Sequence, residues 1–203
     1  MKKKQIRFIL FLTPLLLCGC MSFGRKFSYE SVSRLKLGEL KSSECRVMYG
    51  APYRVGTEKN KDGSFEKLVY HFSHSNFFDV LSYRTLSLEF KDGILNAYDY
   101  LSTFNQDRTK VSFNEIEKIK IAQSTKSDVL NILGEPTGKA LCPTTLYSIK
   151  DECESDGEIW VWRADHKFSI YSSPEERKAE IHIIFGKDSV VSNIATLTSP
   201  SRE

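Results

Sequence analysis

Residues 118–139 read KIKIAQSTKSDVLNILGEPTGK, and this stretch decides the fold. Thr125 followed by Asp128 marks a helix start, because both side chains can pair with backbone N–H groups that the first turn leaves unmatched. Val129, Leu130, Ile132 and Leu133 then set one apolar face at helical spacing. Gly134 permits the left-handed conformation that ends a helix, and Pro136 cannot continue one. The pattern occurs twice. Residues 34–55, RLKLGELKSSECRVMYGAPYRV, lie over it at a constant offset of 84, with Lys36/Lys120, Ser43/Ser127, Gly50/Gly134 and Pro52/Pro136 identical. Leu35/Ile119, Leu37/Ile121, Cys45/Val129 and Met48/Ile132 keep the apolar positions.

The segments after the two copies also correspond. Lys67-Leu68-Val69-Tyr70 matches Ile159-Trp160-Val161-Trp162, a short aromatic strand. Leu86, Leu88 and Phe90 alternate with polar residues, as Ile181, Ile183 and Phe185 largely do, which marks strands with one buried face. Each ends in a turn, Lys91-Asp92-Gly93 or Lys187-Asp188-Ser189, and a final strand comes next at 94–101 or 190–197. The predicted class is therefore α+β. Two tandem helix-helix-β-meander modules, residues 31–104 and 115–200, form an antiparallel sheet whose helices cover one face.

The chain starts MKKKQIRFILFLTPLLLCGC. Lys2, Lys3, Lys4 and Arg7 form a basic leader, and the apolar run from Phe8 to Leu17 spans only about half of a hydrocarbon core, too short for a transmembrane helix. Leu17-Cys18-Gly19-Cys20 resembles the lipobox of bacterial lipoproteins. The resemblance implies cleavage of residues 1–19, diacylglycerol on the Cys20 sulfur and acylation of its new amino group, leaving the protein held on a membrane. Met21 rather than Asp comes after Cys20, which in a bacterium with two membranes implies the outer membrane. In other hosts the same anchor implies the outer face of the plasma membrane. Residues 20–30 read as an acylated tether. Cleavage takes 4 of the 29 Lys+Arg, leaving 25 against 26 Asp+Glu, so the formal +3 becomes about −1. A basic nucleic-acid binder is disfavoured.

The repeated unit, with its aromatic strand and hairpin, resembles the SmpA/OmlA (BamE-like) family of outer-membrane lipoproteins. Ser124, Val129, Leu133, Gly134, Pro136, Trp160, Trp162 and Phe185 carry the likeness best. Ala122 departs from it where the family has Gly, a position Gly38 fills in the first copy. The resemblance implies a non-enzymatic protein-interaction or β-barrel assembly module of the cell envelope. The tandem arrangement resembles the β-lactamase-inhibitor-protein architecture, in which a concave sheet grips a partner protein. That implies an alternative, an inhibitor or binding protein for a periplasmic or extracellular target.

Residues suited to chemistry are scattered. Cys142 and Cys153 flank a polar loop in a chain bound for an oxidising compartment, which predicts a disulfide worth about 2–3 kcal/mol. Cys45 falls on an apolar helix face and reads as a buried free thiol. His71 and His74 lie three apart along a strand and so face opposite sides, poor geometry for a shared metal, and His182 is expected to point outward between Ile181 and Ile183. No metal, cofactor or hydrolase motif is present, and apart from the lipid no cofactor is expected. Aromatic residues are the better lead. Phe77 and Phe78, between strands, read either as local core or as an exposed contact patch. Tyr98 and Tyr100, placed on one strand face with Asn96, and Tyr83 on the neighbouring strand read either as a protein-binding surface or as ordinary strand formers.

Overall fold

The computed structural model describes residues 21–75, 82–107, 113–149, 152–163 and 179–198. Among them an antiparallel sheet of nine strands dominates, and helices are few. The chain runs β1 (Met21–Phe23), α1 (Tyr29–Val32), α2 (Ser42–Tyr49), β2 (Arg54–Asn60), β3 (Gly63–Ser75), β4 (Ser82–Lys91) and β5 (Ile94–Ser102). Short 3₁₀ turns at Asn105–Asp107 and Phe113–Lys118 lead to α3 (Lys126–Leu133), β6 (Gly138–Leu141), β7 (Glu158–Arg163), β8 (Ala179–Phe185) and β9 (Val191–Thr198). The strands lie in the order β1-β3-β4-β5-β6-β7-β8-β9, and β2 shares the outer edge of β3 with β1.

The two sequence copies make the same local bonds. Thr125 accepts from the Asp128 N–H while Asp128 accepts from the Thr125 N–H, and at the start of α2 the Lys41 N–H donates to Glu44 at 2.7 Å, one half of the same arrangement. The N–H groups of Gly38 and Ala122 donate to the carbonyls of Leu95 and Val191, each at 2.8 Å. Those two donors have φ of +76° and +60°, so Ala122 adopts the left-handed conformation that costs glycine little. Gly50 and Gly134 close α2 and α3 with φ of +82° and +74°. Tyr53 and Thr137 both donate backbone bonds of 2.8 Å, to Val69 and Val161.

One face of the sheet is packed against the helices. Cys45 and Tyr49 of α2 meet Leu68, Tyr70, Leu86 and Leu88, and Val129 and Leu133 of α3 meet Trp160, Trp162, Ile181 and Ile183. Each large side chain removed from water here contributes about 1.5–3 kcal/mol. Trp162 donates to the carbonyl of Gly134 at 3.0 Å, tying the aromatic strand to the helix stop. Pro136 is buried and Pro52 half-buried beside their stops. Burial pushes the Cys45 thiol up to about 11.

Three expectations are corrected. Residues 21–30 are not a free tether: β1 pairs with β3, while Phe27 and Tyr29 pack against the core. Tyr98 and Tyr100 are buried on the helix side and offer no contact surface. The cause is a β-bulge. Phe90 pairs with Leu95 and Glu89 with Ala97, so Asn96 is the extra residue and the alternation shifts past it. Ser192 is skipped in the same way between β8 and β9. His182 does oppose Ile181 and Ile183, but it is buried on the second face rather than exposed. Cys20, Phe77 and Phe78 lie outside the described residues.

Candidate protein-interaction face

The second face of the sheet differs between the two halves. In the second half, residues 142–149 and 152–157 form a roof over it, closed by a disulfide between Cys142 and Cys153 with Cα atoms 6.1 Å apart. Its apolar floor is Ala97, Ala140, Ile159, Val161 and Ile184, on which Tyr147 and Ile149 rest. Small residues make the approach possible. A Cβ on Gly138 would lie 2.2 Å from the Tyr147 hydroxyl and 2.9 Å from Asp99.

Two buried polar groups lock the roof. Glu89 of β4 accepts from the Thr144 hydroxyl at 2.7 Å, the Thr145 hydroxyl at 2.6 Å and the Thr145 N–H at 3.0 Å. Asn96 donates to Glu89 at 3.2 Å and to the carbonyl of Pro143 at 3.0 Å. A fully buried carboxylate is tolerable when several donors replace its water. Farther along, Tyr147 donates to the carbonyl of Tyr98 at 2.8 Å, and Arg163 bridges Asp99 and Glu180. Burial pushes the Asp99 carboxyl above its usual range, against the pull of Arg163. The hydrogen bond from His182, joined by Arg163, holds Glu180 down at about 2 despite its burial. His182 Nδ1 is buried with no partner among the described residues.

In the first half the roof reaches the second face at Glu89, Asn96 and Ala97, and Lys67 donates to the Thr145 carbonyl at 3.0 Å; beyond them no described residue covers it. Arg54 and Gly56 of β2, Lys67, Val69 and His71 of β3, and Tyr83, Thr85 and Ser87 of β4 occupy it, all exposed or half-buried. Of the aromatic residues singled out from sequence, the structure leaves Tyr83 here, stacked on His71 with ring centroids 6.1 Å apart. Tyr53 and Phe23 extend the cluster, with Tyr53 5.9 Å from both His71 and Phe23. His71 also bonds the Thr85 hydroxyl at 3.1 Å. Below, a cleft of about 510 Å³ separates this face from the roof, lined by Glu58, Lys61, Asp62, Thr144 and Thr145.

Sequence reading missed Phe23, Tyr53 and the roof's anchors. The alternation of Val69, His71 and Ser73 against Leu68, Tyr70 and Phe72 was the available signal for the open face. Glu89 and Asn96 carried no such signal, because their partners lie some 50 positions away.

The face has the make-up of a protein contact: aromatic and aliphatic groups among neutral polar ones and a few charges. Among the described residues no cluster of His, Cys, Asp and Glu could hold a metal, and no helix is long and apolar enough to cross a membrane. No protein-family model matches the chain, and no curated protein matches it significantly. A solved structure of a candidate beta-lactamase inhibitor protein from Streptococcus mutans is similar at 13% identity, covering 83% of this chain and 94% of that one with a TM-score of 0.47.

Proposed function

We propose that this chain is a lipid-anchored protein of the bacterial cell envelope that binds a protein partner, without catalysis, through the open second face of its first half. The observation that carries the reading is the asymmetry of that face, roofed from the end of β4 through β8 and left open across β2, β3 and the rest of β4. Its residues suit contact rather than chemistry. Half-buried Val69 and Tyr83 supply apolar area, and Arg54 and Lys67 supply charge at the border. The repeated bonds around α2 and α3 support two tandem modules, residues 31–104 and 115–200, of the SmpA/OmlA (BamE-like) kind. The lipobox supports acylation at Cys20, and Met21 after it favours the outer membrane over the outer face of a plasma membrane. No cofactor is invoked beyond that lipid.

Photo-cross-linking in cells tests the reading. A cross-linker at Val69 or Ser87 should form adducts with one envelope protein, and one at exposed Val47 on the helix side should not. A Cys20→Ala control should release the protein from the membrane fraction. Adducts from Val47 alone, or none from the open face, would overturn the proposed site. A soluble partner captured equally well by the Cys20→Ala protein would favour the inhibitor alternative.

A further inference from the structure

We infer that the corner of the molecule formed by Phe23 and Tyr53 is seated in the lipid interface beside the anchor, fixing the sheet in one orientation on the bilayer. This rests on the proposed acylation of Cys20. Phe23 is 58% exposed and Tyr53 62%, the rings packed edge to face at 5.9 Å. Such exposure for two adjoining aromatic rings calls for an occupant.

The chain itself says which. β1 starts at Met21, the residue after Cys20, and its register sets Met21 against Ser75 and Phe23 against Ser73. Nothing after it is slack. A Cβ on Gly24 would lie 2.0 Å from the carbonyl of His71, so the backbone is pressed against β3. Phe27 packs in the core, and Arg84 holds its carbonyl at 2.8 Å. At about 3.3 Å per strand residue, Phe23 stands only about 10 Å from Cys20. The headgroup layer on each side of a bilayer is about 5–8 Å thick, so with the strand inclined to the surface a ring at that distance stays within it.

The chemistry of the corner agrees. Exposed Arg25 and Lys26 lie just after Phe23, Arg54 adjoins Tyr53, and residues 21–29 contain no Asp or Glu. Aromatic rings flanked by basic side chains suit the boundary between acyl chains and phosphates. At the far end of β3, the β2–β3 hairpin tip with Lys61 stands about 40 Å from the anchored end at the same rise per residue. The strands therefore leave the membrane at a slant that keeps both rings in the headgroup layer and lifts the hairpin tip clear of it.

The test uses the full acylated chain in phosphatidylcholine vesicles containing lipid brominated on its acyl chains. Phe23→Trp and Tyr53→Trp proteins should lose about half of the added emission to bromine, and Lys61→Trp should lose none. Native Trp160 and Trp162, both buried, give the background. Absence of quenching at 23 and 53 in protein that floats with the vesicles overturns the inference and leaves the anchor standing. So does a cross-linker at 23 that forms adducts with protein instead of lipid. A mature protein whose mass shows no lipid sinks both the anchor and the inference.

Discussion

The two halves make the same backbone bonds and put the opposite side of the sheet to different uses. Both cover one face with helix, starting where an acidic side chain takes the N-cap N–H and ending at a glycine. On the other face, the second half lays the disulfide-closed connection between β6 and β7 over small residues, and the first half has only the tight turn between β2 and β3. The two halves thus differ by one loop, while the backbone bonds around α2 and α3 are alike in both. The sheet row under the loop is Ala97, Ala140 and Ile159, whereas in the open region Val69 pairs with Ser87, His71 with Thr85 and Ser73 with Tyr83.

Removing the lock should erase the contrast most strongly. Glu89→Ala strands the donors of Thr144, Thr145 and Asn96, and is expected to cost about 4 kcal/mol in urea unfolding. Amide exchange should rise in the roof before it rises in β3. Opening the disulfide with Cys142→Ser and Cys153→Ser removes a loop with a sequence separation of 11, for an expected loss of about 3 kcal/mol. Binding through the first-half face should survive, and its loss would show that the roof shapes the site. Gly138→Ala should cost about 2 kcal/mol by lifting Tyr147, with near-ultraviolet dichroism reporting the ring.

Acid sharpens the comparison further. Glu180 has its folded pKa depressed to about 2, so the stability it contributes is full above its ordinary value near 4.5 and is lost as pH falls toward 2. Glu180→Gln should flatten the fall between pH 5 and pH 3, measured by denaturant midpoints. An unchanged slope would remove Arg163, Glu180 and His182 from the account of the second half. The smallest effect belongs to Cys45→Val, which installs the residue found at 129. It should cost under about 1.5 kcal/mol, and the native Cys45 thiol should stay unreactive toward disulfide reagents until the protein unfolds.

Much of the framework could be read from residues alone, because it depends on local chemistry. Thr125 with Asp128, Gly134 and Pro136 act within a few positions of themselves, and Leu86, Leu88 and Phe90 alternate without interruption. The second face could not be read in the same way. One extra residue at Asn96 reversed the expected direction of Tyr98 and Tyr100. His182 alternated outward as expected, yet a loop some 30 residues earlier buries it. The docking of residues 21–30 was equally hidden, since β1 is three residues long and its partner lies some 50 positions on. Periodicity reports which side a residue takes, and only tertiary contact decides whether that side is wet.

The seam between the halves has a mechanical consequence. β5 and β6 share only the pairs Ala97↔Ala140, Tyr98↔Lys139 and Asp99↔Gly138, whereas β3 and β4 pair from Phe65↔Lys91 through His74↔Ser82. Tension between a membrane anchor at β1 and a partner held on the first-half face would pass through β1, β3 and β4 and never cross that short ladder. The second half, held to β4 and β5 by the bonds of Glu89, Asn96 and Tyr147, would ride along outside that line of force.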